Sequence, residues 1–241
     1  MSLSRRQFIG IGGAAVAAMT AAPGLRLIEL ANARSPEEAA TSLQRWGLLI
    51  DISKCNDCDV CVTACSTENG WYGHNRPATD PQWIRKVTLK DNQTGHVETL
   101  PVLCQHCEEP PCVDVCPTGA SFKRADGIVL VDKHICIGCR YCMMACPYKA
   151  RSFVHEDTTN QKPYAPRGKG TVESCTLCVH RVDAGRIPAC VEACDKDGHQ
   201  AMAFGDLNDK TSEISKRLAS APSTQLRPDL NLNTGVRYQG I

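Results

Sequence analysis

Alternating apolar and polar positions predict two short hairpins in the middle of the chain. Residues 84–90 alternate, a polar turn follows, and residues 96–103 resume the strand pattern. The two segments predict a hairpin that ends next to Cys104. A smaller hairpin is predicted over residues 121–132, where the segments 121–124 and 128–132 flank an Ala-Asp-Gly turn.

Other segments give weaker patterns. Residues 150–154 and 200–204 read as isolated short strands, and residues 211–218 read as one amphipathic helix. Residues 69–83, which hold two tryptophans and two prolines, predict an irregular insertion that either covers a site or meets a partner. The polar coil after residue 218 either wraps the body or docks elsewhere. These short elements predict an α+β fold.

The N-terminus predicts an export signal over residues 1–33. Arg5 and Arg6 precede a modest apolar run, and Ala31-Asn32-Ala33 offers the small residues of a cleavage site. This pattern is typical of a twin-arginine signal, although the two arginines could also be an exposed pair on an ordinary helix. The twin-arginine route carries folded proteins, so it hints at a cofactor inserted in the cytoplasm. No stretch after residue 35 has the ~20 apolar residues of a membrane span.

Composition limits the hydrophobic core. Only 42% of the 241 residues are apolar and 5% are aromatic, while 16 are cysteines, so large side chains alone predict a small core. The formal net charge is +1. Because nucleic-acid-binding domains usually carry a strong basic excess, this balance argues against a nucleic-acid partner.

The cysteines form four quartets with none left over. They are Cys55, Cys58, Cys61, Cys65; Cys104, Cys107, Cys112, Cys116; Cys136, Cys139, Cys142, Cys146; and Cys175, Cys178, Cys190, Cys194. Every quartet opens with a pair separated by two residues and closes with a gap of three. This repetition indicates one recurring structural unit.

The spacing predicts 4Fe-4S clusters with exchanged fourth ligands. Three thiolates of one loop can converge on one cluster, whereas the fourth cysteine comes about one helical turn after the third and reaches a neighbouring cluster. Two-cluster ferredoxins use this exchange in the run with gaps of 2, 2 and 3. The predicted ligand sets are Cys104, Cys107, Cys112 with Cys146; Cys136, Cys139, Cys142 with Cys116; Cys55, Cys58, Cys61 with Cys194; and Cys175, Cys178, Cys190 with Cys65. Sixteen thiolates supply four clusters.

Three other uses of cysteine compete with this interpretation. Paired cysteines also bind structural zinc, and an even count in an exported protein also suits disulfides. Covalent haem is excluded, because no Cys-x-x-Cys is followed by histidine. His106, His134 and His180 lie near cysteines, but with every thiol matched to a cluster they are predicted to be surface or supporting groups. No nucleophile, acid–base pair or nucleotide loop is evident, so no catalytic residue is predicted.

Four motifs carry a family resemblance. They are Cys-Gln-His-Cys-Glu-Glu-Pro-Pro-Cys at 104–112, Cys-Pro-Thr-Gly-Ala at 116–120, Cys-Ile-Gly-Cys-Arg-Tyr-Cys at 136–142 and Ile-Pro-Ala-Cys-Val-Glu-Ala-Cys at 187–194. Over roughly residues 46–207 the chain resembles the four-cluster electron-transfer subunits of the DMSO reductase, polysulfide reductase and NrfC type. The resemblance implies a non-catalytic subunit of tandem ferredoxin-like modules. It also implies two partners: an NrfD-like, quinone-interacting membrane subunit, and a periplasmic c-type cytochrome or molybdenum subunit.

Within that family, the N-terminal signal and the C-terminal motifs are most similar to the DsrO branch, which is linked to sulfite reduction. One departure is that Cys194 is followed by Asp195-Lys196-Asp197 where many relatives have a proline. Those carboxylates either lower the potential of the nearest cluster or form a solvated turn. A tetrathionate-reductase-like or NrfC-like subunit and a free soluble polyferredoxin are the alternatives. The near-neutral charge argues against the last, since mobile carriers tend to be strongly charged.

The predicted organisation has four parts. Residues 1–33 are the signal, residues 34–103 plus 150–207 form an outer module, residues 104–149 form an inner module, and residues 208–241 are a tail that docks a partner. The outer module holds the first and fourth quartets, and the inner module holds the second and third. We expect a periplasmic protein that is bound to the membrane only through its partners.

Overall fold

The computed structural model describes residues 39–159 and 161–241, so the predicted signal at residues 1–33 lies outside the described residues. Short helices and short strands follow one another along the chain, and this confirms the predicted α+β class. The strands are β1 (Trp46–Asp51), β2 (Ile84–Lys90), β3 (Val97–Leu103), β4 (Ser121–Lys123), β5 (Val129–Val131), β6 (Ser152–Phe153), β7 (Val172–Glu173), β8 (Met202–Asp206) and β9 (Val236–Gln239). The helices are α1 (Val60–Asn69), α2 (Pro111–Asp114), α3 (Tyr141–Ala145), α4 (Val179–Val182), α5 (Ala189–Lys196) and α6 (Glu213–Ser220).

A three-stranded sheet joins a strand from the beginning of the described chain to two strands from its end. Its strand order is β8-β1-β9, with β1 antiparallel to β8 and parallel to β9. Leu48 and Ile50 pack into the main core, while Leu49 packs on the other face against Ile214 of α6. Because both faces of β1 are buried, its sequence lacks the alternation that marks a half-exposed strand.

The predicted hairpins are confirmed. β2 pairs antiparallel with β3 from Ile84 opposite Leu103 to Lys90 opposite Val97, and Leu103 leads directly into Cys104. Asp91 shapes the turn by accepting hydrogen bonds from the Gln93 main-chain N–H and the Thr94 hydroxyl. β4 and β5 form the second hairpin, which is a few residues shorter than predicted. β6 pairs with β7, and β8 lies within the central sheet.

Four helices begin at equivalent positions in the four quartets. Each begins one residue before the third cysteine, so that Cys61, Cys112, Cys142 and Cys190 are the second residues of α1, α2, α3 and α5. In α2 this first position is Pro111, a residue whose fixed φ suits the start of a helix. In α1 and α5 the third and fourth cysteines are one helical turn apart, as the spacing predicts, whereas α2 and α3 end before Cys116 and Cys146.

The C-terminal segment wraps the body. The sequence had left this arrangement and docking elsewhere as the two alternatives. Helix α6 of this segment begins two residues later than predicted, because the Ser212 hydroxyl caps it by accepting the Ser215 main-chain N–H at 3.3 Å. The chain then returns to place β9 beside β1, and Tyr238 is fully buried there. Within 39–159 and 161–241, the helices are too short and too polar to span a bilayer.

Candidate functional site

The fold brings the sixteen cysteines together in four sets of four. Each set contains three cysteines of one quartet and one cysteine of another. Site 1 is Cys55, Cys58, Cys61 and Cys194; site 2 is Cys104, Cys107, Cys112 and Cys146; site 3 is Cys116, Cys136, Cys139 and Cys142; site 4 is Cys65, Cys175, Cys178 and Cys190. All sixteen cysteines are free thiols, so the structure contains no disulfide scaffold among them.

Sites 1, 2 and 3 each surround a small cavity. Ile50, Pro101 and Met202 complete the wall of site 1, Val129 and Tyr148 that of site 2, and Val131 and Val172 that of site 3; most of these side chains are apolar. Each cavity is thus lined by four sulfurs, by apolar side chains and by a few polar groups. Such a lining suits an inorganic cluster better than a water-exchanging cation.

Site 4 is the most deeply buried of the four sets. Burial and the neighbouring thiols of Cys65, Cys190 and Cys178 raise the pKa of Cys175 well above its ordinary value. The pKa of Cys190 rises for the same reasons, with Cys61 of site 1 as a further neighbour. Sites 4 and 1 are therefore adjacent.

The four sites lie in a row. Cys61 and Cys65, one turn apart on α1, join sites 1 and 4, at about 6 Å along the helix axis. Strand β3 joins sites 1 and 2, because Pro101 lines site 1 and Cys104 lines site 2 about 10 Å further along the chain. Cys142 of site 3 lies close enough to raise the pKa of Cys112 of site 2. The order along the row is 4, 1, 2, 3.

A buried arginine contacts both sites of the inner pair, which are sites 2 and 3. Arg151 is 5% exposed and donates from Nη2 to the Cys112 sulfur at 3.0 Å and to the Ser121 hydroxyl at 2.8 Å. Ser121 lines the cavity of site 3, and the charge of Arg151 also acts on the Cys142 thiol of that site. Burial raises the pKa values of both thiols, and the Arg151 charge opposes that rise.

In the outer pair, which is sites 1 and 4, neutral side chains donate to the cysteine sulfurs. The Trp71 indole Nε1 donates to the Cys65 sulfur at 3.3 Å, and the Asn69 amide lies 3.7 Å from Cys65 and 3.9 Å from Cys178. Trp71 belongs to the predicted irregular insertion and is buried. The insertion therefore covers site 4.

Two carboxylates, each paired with a basic side chain, border site 1. Asp197, His199 and Cys58 place one ligand atom each within 4.8 Å of one another, and His199 Nε2 lies 2.8 Å from Asp197 Oδ2. Asp57 also borders this cavity and pairs with Lys86 at 2.7 Å. The polar turn after Cys194 is thus folded against site 1.

Site 3 lies nearest to the surface. Cys139 is the exposed member of the sixteen cysteines, and Cys116 and Cys136 are partly exposed. Large apolar side chains around it also face solvent, among them Ile137 at 66% and Met144 at 72% exposure, with Ile135 and Tyr141 about half exposed. This surface is the most accessible approach to the row.

The three histidines near the cysteines have different surroundings. His106 is buried, which agrees with the supporting role and not with the surface position among the two alternatives that the sequence left open. Its Nδ1 accepts the Val129 main-chain N–H at 3.0 Å, and burial lowers its pKa to about 3, which keeps the ring neutral. His180 stacks on Tyr164 and contacts Glu68 at 2.9 Å, whereas His134 is exposed.

The chemistry of the sites fits iron–sulfur clusters. Burial and neighbouring thiols raise the pKa values of Cys61 and Cys107 to about 12, so several thiolates can share one site only if metal ions compensate their charge. Nε and Nη1 of Arg151 and Nε2 of His106 are buried, and no atom of the described chain hydrogen-bonds them. Sulfide ions of a cluster are acceptors for such donors.

Comparison with known proteins places these sites in a family. Residues 95–207 match the 4Fe-4S dicluster domain. The Hdr-like menaquinol oxidoreductase iron-sulfur subunit 1 of Archaeoglobus fulgidus is 42% identical, over 98% of this chain and 97% of its own length. A tetrathionate reductase subunit of Salmonella typhimurium is 37% identical, over 100% of this chain and 90% of its own. Protein NrfC of Escherichia coli is 35% identical, over 92% and 89%.

Proposed function

This chain belongs to the family of iron–sulfur electron-transfer subunits of oxidoreductase complexes, which are not catalytic by themselves, and on that premise we propose that it is a four-cluster electron relay. The observation that carries the proposal is the division of the sixteen cysteines into four sets of four with none left over. A 4Fe-4S cluster takes four thiolates. Sites 1 to 4 would therefore each hold one cluster, which supplies a one-electron centre when bound.

The row of sites supports a relay. Neighbouring sites share a helix turn or a short strand, so the protein holds its redox centres at fixed and short separations. Site 4 lies at one end behind Trp71, and site 3 lies at the other end with Cys139 exposed. We infer that a redox partner approaches site 3, because an electron passes most readily where the protein layer is thinnest.

The proposed partners are two other subunits of one respiratory complex. One is an NrfD-like membrane subunit that reacts with quinone, and the other is a periplasmic c-type cytochrome or a molybdenum enzyme subunit. The names of relatives support this assignment, since one is a subunit of a menaquinol oxidoreductase and another of a tetrathionate reductase. The sequence resemblance to the DsrO branch favours a complex linked to sulfur or sulfite reduction.

Metal analysis tests the cluster inventory. We expect anaerobically purified protein to contain about sixteen iron atoms and about sixteen acid-labile sulfides per chain. A content of four zinc ions and no sulfide would refute the relay and indicate a structural zinc module. Replacing the exposed ligand by Cys139→Ser should alter one cluster and impair electron throughput, and unchanged spectra with full throughput would contradict the assignment of site 3.

Fractionation tests the partners and the location. We expect the exported chain to co-purify with the membrane fraction and to be released when its partner subunits are deleted. Recovery in the soluble fraction with the partners present would favour a mobile polyferredoxin instead. Replacing both Arg5 and Arg6 by lysine should leave the protein in the cytoplasm, and normal export of this variant would disprove the twin-arginine signal.

A further inference from the structure

Arg151 holds a buried positive charge between two cysteine sets. It follows α3 and donates hydrogen bonds to the Cys112 sulfur of site 2 and to the neutral hydroxyl of Ser121, which lines the cavity of site 3. Its charge also acts on the Cys142 thiol of site 3. A buried charge is costly unless an opposite charge compensates it.

The other buried arginines near the sites are compensated differently. Arg167 makes two hydrogen bonds to the Glu173 carboxylate, at 2.8 and 2.9 Å, and Arg181 pairs with Glu68 at 3.1 Å and with Glu192. Arg151 has sulfur where those residues have carboxylate. Its Nε and Nη1 groups also lack a hydrogen-bond acceptor in the described part of the chain.

We propose that Arg151 sets the reduction potentials of both inner clusters, raising the two together. This inference rests on the proposed function, since it requires clusters in sites 2 and 3. Reduction adds one negative charge to a cluster, and a nearby cation with hydrogen bonds to sulfur stabilises the reduced state, which raises the potential. Because one guanidinium lies between the two sites, its charge shifts the potentials of both clusters in the same direction.

Redox titration of the holoprotein, followed by EPR, tests this role. In Arg151→Met we expect the two inner potentials to fall together while the two outer potentials stay unchanged. Arg151→Lys retains the charge and should restore much of the shift. Arg85→Met is the matched control, because Arg85 lies near Arg151 but donates to the main-chain carbonyls of Tyr148 and Lys149. This variant should shift both inner potentials far less.

The outcomes separate this inference from the proposed function. Wild-type protein without iron and sulfide would end the relay itself. Full iron content with unchanged inner potentials in Arg151→Met would overturn the role of Arg151 and leave the relay intact. If Arg151→Met loses its clusters, Arg151→Gln, which keeps hydrogen-bond donors but removes the charge, decides: lower potentials confined to the inner clusters support the role, and wild-type potentials refute it.

Discussion

The inner and outer pairs of sites have the same thiol chemistry but different surroundings. In the inner pair, a charged guanidinium donates to the Cys112 sulfur and acts electrostatically on the Cys142 thiol. In the outer pair, the neutral indole and amide of Trp71 and Asn69 contact Cys65. On the proposed function, cysteine spacing selects the metal group, and we expect the groups just outside the thiols to adjust its potential.

Charge separates the pairs further. Asp197 lies beside Cys58 in the outer pair, and carboxylates disfavour the added negative charge of reduction. We therefore expect the inner clusters to have higher potentials than the outer clusters. An electron would then reside mainly on the clusters of sites 2 and 3, at the end of the row that carries the exposed Cys139.

The largest expected effect concerns ligand exchange between quartets. Cys104→Ala combined with Cys146→Ala removes two ligands of site 2, so we expect the loss of one cluster, about four irons per chain, with site 3 unchanged. Cys136→Ala combined with Cys146→Ala removes one ligand from each inner site and should alter two clusters. Iron analysis and EPR measure both results.

The outer pair gives the matched control for that exchange. Cys55→Ala with Cys194→Ala should affect site 1 alone, whereas Cys190→Ala with Cys194→Ala should affect sites 1 and 4. If each quartet kept its own fourth cysteine, the variants expected to affect one cluster would affect two, and those expected to affect two clusters would affect one. That reversal would refute the exchanged assignment.

A smaller effect is expected at the surface of site 3. Met144→Asp places a charge on the exposed apolar surface, and burying one unpaired charge in an interface costs on the order of 1–3 kcal/mol, or about tenfold or more in affinity. Electron exchange with the partner complex should slow while the four clusters keep their spectra. Leu89→Asp, on the half-exposed end of the β2–β3 hairpin, is the control. Equal slowing by both variants would locate the contact elsewhere.

The neutral donors of the outer pair predict a modest change in potential. Trp71→Phe removes one hydrogen bond to Cys65, worth about 1 kcal/mol or less, which corresponds to a fall of up to roughly 40 mV for one electron. We expect this shift in one outer cluster only. A shift in an inner cluster of the same variant would show that the pairs are not tuned independently.

The smallest effect concerns acid stability of the outer pair. Burial alone would raise the pKa of Glu68, but hydrogen bonding to His180 and the charge of Arg181 outweigh it, so the pKa is lowered in the folded state. A lowered carboxylate pKa stabilises the fold above the unfolded pKa of about 4.3, and this contribution is lost as pH falls through the folded value. Glu68→Gln should therefore be less stable at pH 7 and closer to wild type near pH 3, measured by denaturant unfolding.

The sequence predicts the parts of this molecule that depend on local spacing. Alternation predicted the β2–β3 hairpin, and the four-residue step between cysteines predicted the four helices. It missed β1, which is apolar without alternation because both of its faces are buried, and β9, whose neighbours are polar. Their pairing brings together residues almost 190 positions apart, as with Leu48 and Val236.

Supporting groups were harder to predict than the cysteines. Arg151 gave no signal, because a single arginine in a short strand is ordinarily exposed, and its importance depends on burial between two sites. Trp71 was left open between packing and partner contact, and the structure gives it a sulfur as hydrogen-bond partner. For His106 the sequence left a surface position and a supporting role open, and the structure gives it burial and a hydrogen bond from the Val129 main-chain N–H.

The interleaving of the quartets also orders events during translation. Sites 2 and 3 have all their thiols once residue 146 has left the ribosome, whereas sites 1 and 4 wait for residue 194. At about 5–20 residues per second, Cys65 waits roughly 5–20 s for Cys175. The earliest thiols of the nascent chain thus stay without their partners the longest, and β1 gains its last neighbour only after β9, at Val236–Gln239, has emerged.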